Sequence, residues 1–98
     1  MTELSFLPGA NLDYRAAYAW YRERGEHLAD SFEAAVDRAL ELITETPGRF
    51  AKYDDRHRCY LLRRFPYLIV YRVEDNQVLV VAVAHGRRQP GYWQDRGD

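Results

Sequence analysis

RCYLLRRFPYLIVYRVEDNQVLVVAVAHGRR, residues 58–88, decides the fold, because it reads as three consecutive strands. Cys59, Leu61 and Phe65 open the first. Residues 67–73 alternate Tyr67, Ile69, Tyr71 and Val73 on one face with Leu68, Val70 and Arg72 on the other. Glu74-Asp75-Asn76-Gln77 then reads as a hairpin turn. Residues 78–84 are apolar at every position, the pattern of a strand buried on both faces and therefore central. Connections this short make the three strands an antiparallel meander. Arginines stand at its start (Arg58), its first turn (Arg63, Arg64) and its end (Arg87, Arg88).

Upstream, residues 3–7 form a short alternating segment that stops at Pro8-Gly9, read as an edge strand ended by a turn. Asn11 is placed as a helix N-cap, and Leu12, Tyr14, Ala17, Tyr18 and Tyr21 recur at helical spacing until Gly25. A second helix is expected from a cap at Asp30 or Ser31, with Phe32, Val36, Ala39, Leu40 and Ile43 at i, i+4, i+7, i+8 and i+11. Thr46-Pro47-Gly48 stops it, and residues 49–57 are polar and irregular. Two helices with a short connection form an antiparallel hairpin. The succession β-α-α-β-β-β is an α+β domain in which one sheet packs on a helical hairpin. Residues 1–98 are expected to share one core, since a single core takes roughly 50 to 200 residues.

An apolar fraction of 47% and an even spread of charges exclude a disordered or fibrous chain. The longest apolar run is far shorter than the roughly 20 residues that cross a bilayer, and the N-terminus lacks a signal-peptide pattern, so no membrane contact and a cytoplasmic location are expected. The lone Cys59 has no internal disulfide partner and reads as a small side chain on a strand. His27, His57 and His85 lack ligand spacing with it or with each other, so neither a metal nor a cofactor is expected. The net charge of −1 hides an asymmetry. Residues 1–48 hold four Arg against nine Asp+Glu, whereas residues 49–98 hold ten Lys+Arg against six Asp+Glu. That split suits a basic patch facing an acidic partner or nucleic acid.

Arg58 opening the first strand, the turn Phe65-Pro66-Tyr67, the run Ile69-Val70-Tyr71-Arg72, and His85-Gly86-Arg87-Arg88 followed by Pro90 together resemble the C-terminal sheet of the RelE/ParE superfamily of bacterial toxins. The resemblance extends over nearly the whole chain once the two helices are added, and it implies the toxin half of a type II toxin–antitoxin pair. It further implies a cognate antitoxin whose flexible segment folds along the helical hairpin and sheet edge, in a hetero-oligomeric complex.

Two branches of that superfamily give two expectations. RNA-cleaving members cut messenger RNA on the ribosome without metal, which would make Arg58, His85, Arg87 and Tyr92 the catalytic candidates here. A guanidinium can hold a phosphate oxygen, and a histidine can pass a proton near neutral pH. ParE-type members inhibit DNA gyrase by binding and have no catalytic site. The ending HGRRQPGYW is more similar to theirs, and a single lysine, Lys52, departs from the lysine-rich nuclease pattern. In this favoured branch Arg58, Arg63, Arg64, Arg87, Arg88, Tyr92 and Trp93 are the target-binding candidates. A non-toxic relative that only binds its antitoxin is the third expectation. Against these stand ordinary structural roles: His85 as a hydrogen-bonding residue at a strand end, Arg63-Arg64 as turn flanks, and Tyr60, Tyr67 and Tyr71 as core. Trp93 must either fold back on the domain or meet a partner.

Overall fold

In the computed structural model, which describes residues 2–97, Asp75 and Asn76 both take positive φ, 51° and 59°. Positive φ at both central positions is the type I′ turn, whose twist suits a two-residue hairpin. It joins β3 (Tyr67–Glu74) to β4 (Gln77–His85), with Glu74 opposite Gln77. β2 (Arg58–Leu61) pairs antiparallel with the other side of β3, and β1 (Glu3–Phe6) pairs parallel with β4. The sheet order is β1-β4-β3-β2. The unbroken apolar run of β4 is thus interior to the sheet and β1 is an edge, as expected.

Both faces of β3 and β4 are buried, by different means. Tyr67, Ile69, Tyr71, Val78, Val80 and Val83 meet the helices, while Val70, Val81, Ala82 and Ala84 meet the C-terminal tail through Trp93. A bulge lets β4 serve both. Val70 faces Ala82 and Tyr71 faces Val80, so Val81 has no residue opposite it and joins Ala82 on the tail side.

The helices depart from the expected boundaries. α1 spans Pro8–Arg24, so Pro8-Gly9 is its first turn and not a preceding one, and its N-cap is Leu7, not Asn11. Proline at this position lacks only an N–H that a first turn leaves unbonded anyway, and its φ is already helical. Gly9 is there for space, because a Cβ would lie 2.7 Å from Nε of Arg96. α2 spans Glu26–Glu45 and starts ahead of Asp30 and Ser31. Only Gly25 separates the helices. Its φ of 155° turns the chain, its N–H bonds back to Tyr21, and its carbonyl accepts the N–H groups of Leu28 and Ala29. The first turn of α2 escaped the periodicity because Leu28 is 40% exposed and burial begins only at Ala29. A short 3-10 turn, Pro47–Arg49, ends the hairpin. Among the described residues no helix is long and apolar enough to cross a membrane.

Trp93 is 2% exposed, with its indole edge-on to Tyr53 and His57, both at 4.8 Å between ring centroids. Replacing a buried tryptophan by alanine typically costs about 3–5 kcal/mol. Trp93→Ala is therefore expected to lower the unfolding free energy measured in urea by an amount in that range, with a correspondingly lower midpoint. A midpoint equal to wild type would mean that the tail contributes nothing to the fold.

Candidate functional site

β1 pairs only with residues 77–80 of β4, so the outer edge of β4 beyond Val80 has no neighbouring strand. Side chains take its place. The N–H of Val83 donates to Oδ2 of Asp13 (3.1 Å), and Nη1 of Arg96 donates both to the carbonyl of Val81 (3.0 Å) and to Oδ2 of Asp13 (2.8 Å). Nη2 of Arg96 reaches Oδ1 of the same carboxylate at 3.3 Å, and the Tyr92 hydroxyl donates to Oδ2 at 3.2 Å. Arg88 adds an ion pair to Asp13 at 3.8 Å and stacks its guanidinium 3.8 Å from the Tyr92 ring centroid. The Asp13 side chain is 7% exposed. Neither Asp13 nor Arg96 carried a sequence signal beyond ordinary surface charge.

This network fixes the protonation of Tyr92. Burial raises its phenol pKa, the Asp13 charge raises it further, and Arg88 offsets only part of that. Tyr92 is a neutral donor committed to a carboxylate, so it is poorly placed to take up or release a proton during catalysis.

The other candidate side chains divide between two places on the sheet, on different strands to either side of β3. Arg58 pairs with Tyr71 and donates from Nη1 to the carbonyl of Phe50 at 2.7 Å, while His85 pairs with Tyr67. Four residues along β3 and two strand spacings across separate these positions by roughly 16 Å. The Nδ1 of His85 accepts the N–H of Arg87 at 3.0 Å, and its ring meets Tyr67 edge-on. Arg58, His85, Arg87 and Tyr92 thus do not converge on one reacting atom. What does converge is charge. The N–H of Gly86 bonds the carbonyl of Pro66 at 2.8 Å, which brings the turn carrying Arg63 and Arg64 beside the strand end carrying Arg87 and Arg88. Arg63, Arg64 and Arg87 are exposed, and their guanidinium groups make no hydrogen bond or ion pair among the described residues. Trp93, expected to face a target, lies inside instead, because the tail covers the apolar face of β3 and β4 that no helix covers.

Sequence reasoning also passed over His57, which has no ligand spacing yet is 2% exposed. Its Nδ1 lies 2.8 Å from Oδ1 of Asp54. Burial alone would raise the Asp54 carboxyl, but hydrogen bonds from the His57 ring, the Arg56 N–H, the Gln94 amide and the His57 N–H outweigh it and hold it well below the usual carboxylate range. A fourth feature is an open groove of about 670 Å³ between α1 and the sheet end, with Leu12 (66% exposed) and Trp20 (49% exposed) at its rim.

Two substitutions test these networks. Asp13→Asn is expected to cost about 3 kcal/mol in urea unfolding, the low end for a broken buried pair because Arg96 is 24% exposed. A cost below about 1 kcal/mol would show an ordinary surface pair. For Asp54 the folded pKa lies below the unfolded value of about 3.9, so the carboxylate stabilises the fold above that value and stops doing so as pH falls through the folded one. Asp54→Asn should therefore melt below wild type at neutral pH, with the gap closing as pH drops beneath about 4. A gap constant across that range would contradict the assignment.

A family model described as "ParE toxin of type II toxin-antitoxin system, parDE" matches residues 4–90. Toxin ParE2 of Mycobacterium tuberculosis is 29% identical over 83 residues, covering 84% of this chain and 79% of the relative. Among solved structures, a chain of the chromosomal ParDE system from P. aeruginosa superposes with a TM-score of 0.74 at 17% identity, covering 87% of this chain and 96% of that one. The isolated E. coli RelE toxin superposes with a TM-score of 0.59 at 20% identity, covering 96% and 94%. The two structures share the fold, the succession of elements β-α-α-β-β-β is the one the resemblance implied, and the family match runs from β1 to the arginine-bearing end of β4: the chain belongs to the ParE toxins of type II toxin–antitoxin systems.

Proposed function

We propose that this toxin acts by binding DNA gyrase through the arginine end of its sheet, and that it has no catalytic site. A toxin of this family is one half of a pair, so a cognate antitoxin follows from membership. The observation that carries the binding reading is the placement of the basic and proton-carrying side chains. Transfer of a proton needs partners within roughly 3 Å of a common atom, whereas Arg58 and His85 flank β3 from opposite sides, four residues apart along it, and Tyr92 is tied to Asp13. A binding surface asks only for complementary charge and shape. Arg63, Arg64 and Arg87 offer unengaged guanidinium groups for acidic protein surface or for the phosphates of a DNA-bound enzyme, with Arg88 beside them.

Neutralisation follows from the same geometry. The groove beside Leu12 and Trp20 opens next to His85 and Arg88, so an amphipathic helix of the antitoxin seated there stands over the flank of the arginine end.

The test is to induce the protein briefly in bacteria without an antitoxin and follow DNA and protein synthesis separately. Gyrase inhibition predicts an early block in DNA synthesis, and purified protein that inhibits supercoiling. Arg87→Ala with Arg88→Ala is expected to weaken that inhibition about tenfold or more, as the loss of two charge-assisted contacts would. An early fall in protein synthesis with cleaved messages would overturn the proposal in favour of a nuclease. Absence of both effects would leave a binding module without toxicity.

A further inference from the structure

The tail leaves a pocket open where it turns back along the sheet. Leu68 of β3 and Ala84 of β4 bound it together with Tyr53, Pro90, Tyr92 and Trp93, six side chains that are all aliphatic or aromatic. Its volume is about 190 Å³. An apolar cavity of about 150 Å³ is enough for a benzene ring.

The backbone fixes this pocket before anything enters it. The Gly86 N–H bonds the Pro66 carbonyl at 2.8 Å, the Arg88 N–H that of His85 at 3.0 Å, and the Gln94 N–H that of Gly91 at 2.9 Å. Gly91 takes a φ of 77°, and a Cβ there would lie 2.6 Å from Oε1 of Gln94, so the turn needs glycine. Two walls are held from behind: Trp93 stands edge-on to Tyr53 and His57, and the Tyr92 hydroxyl donates to Asp13. A site already ordered loses less on binding.

Cations surround the mouth. Gly86 and Arg88 line it, and Arg87 lies between them in the chain. The bond of Gly86 to Pro66 brings the turn of Arg63 and Arg64 alongside. Arg88 is steadied by the Tyr92 ring and Asp13, whereas the guanidinium groups of Arg63, Arg64 and Arg87 make no hydrogen bond or ion pair among the described residues. No acidic residue lines the pocket among the described residues. An apolar hollow inside a charged border is the layout of an interface anchor, where one large side chain fills a desolvated pocket and polar groups close around it.

This layout chooses between the two sources of negative charge. DNA phosphates would meet the arginines and leave the hollow empty, and a chain of net charge −1 lacks the positive excess that drives polyanion binding. A protein segment with carboxylates beside one large apolar side chain uses both parts.

We propose that the pocket between the tail and the end of β4 is the anchor of the target-binding surface. It takes one aromatic side chain from an acidic segment of the target protein, whose carboxylates meet Arg87 and the turn of Arg63 and Arg64. The inference rests on the reading that this toxin acts by binding gyrase and deepens it, by naming protein carboxylate over DNA phosphate as the charge that the arginines meet. The tail thereby gains a second task, since the residues that cover the sheet also wall the site.

The experiment titrates purified full-length toxin with a blocked peptide carrying one phenylalanine between two pairs of aspartates, read by NMR. The two tryptophans report separately, because Trp93 walls this pocket and Trp20 lines the Leu12 groove. Saturable binding that shifts the Trp93 indole signal and leaves that of Trp20 in place is expected. Alanine in place of the phenylalanine should weaken binding about tenfold or more, the value of one buried ring. A lysine-flanked peptide and an oligothymidylate should bind more weakly still. Leu68→Asn, which makes a half-buried part of the floor polar, and Ala84→Leu, which fills the hollow, should each lower the affinity about tenfold with every arginine intact. Circular dichroism checks that each variant is folded. No saturable binding, a shift at Trp20 alone, equal binding of the alanine peptide or by both folded variants, or an oligothymidylate bound as tightly would overturn the proposal. The titration involves no gyrase: toxin that binds the peptide in this pocket yet leaves supercoiling untouched refutes the gyrase reading alone, whereas supercoiling inhibition undiminished by Leu68→Asn refutes the anchor alone.

Discussion

A carboxylate on α1 completes the sheet. β4 is longer than the edge strand beside it, and its half without a neighbouring strand presents a carbonyl and an N–H that would otherwise lack a partner or meet a stray strand. Asp13 and Arg96 bond those two groups and each other. A carboxylate this far out of water is tolerable only when its charge and lone pairs are matched, and the donors that match it come from β4 and from two residues of the tail. Position follows from that. Trp93 stands between the anchors Tyr92 and Arg96, which hold its indole against Val70, Val81, Ala82 and Ala84. A fold with helices on only one face thus buries both faces of its central strands, and Gly9 is the small residue that lets Arg96 approach closely enough.

The same constraint sorts the arginines. Arg58, Arg72 and Arg96 each direct a guanidinium to a backbone carbonyl, of Phe50, Arg96 and Val81 respectively, and act as structural side chains. Arg72 is 4% exposed, and a Cβ on Gly97 would lie 2.7 Å from its Nη2, so the end of the tail also closes over a buried charge. Arg63, Arg64 and Arg87 remain outward. The near-neutral total therefore misdescribes the surface, because acids dominate the half of the chain that forms β1 and the two helices, and unengaged cations gather at one end of the sheet.

Local pattern recorded in the sequence covers the strands well. Alternation in β3, the unbroken apolar run of β4 and the turn residues Asp75 and Asn76 each report a short-range requirement, and each appears where it was expected. The helix starts were less legible. Pro8-Gly9 and Asp30-Ser31 carry turn and cap chemistry, but helical packing overrides the first, and the second falls inside a helix whose opening turn is solvent-exposed. The site was the least legible because its contacts are long-range: Asp13 meets Arg96 from the far end of the chain, and the turn of Arg63 and Arg64 meets the strand end of Arg87 and Arg88 only through the bond of Gly86 to Pro66. Trp93 illustrates the limit in one residue. Its hydrophobicity required burial, and only the open second face of the sheet determined where.

One fold serves binders and nucleases because the two tasks make different demands on it. Catalysis fails when reacting groups move by an ångström, so a cutting enzyme must bring its acid, base and phosphate ligands to one point. Association tolerates dispersed charge, since its steering and specificity come from the summed field of a patch. In this chain the side chains with proton-transfer chemistry are occupied elsewhere: Tyr92 donates to Asp13, and the Nδ1 of His85 caps the Arg87 N–H. The residues left unengaged are guanidinium groups that bind without titrating. The proposed binding role therefore asks nothing of this sheet beyond a fixed display of charge, a demand that Arg63, Arg64 and Arg87 meet with side chains turned outward.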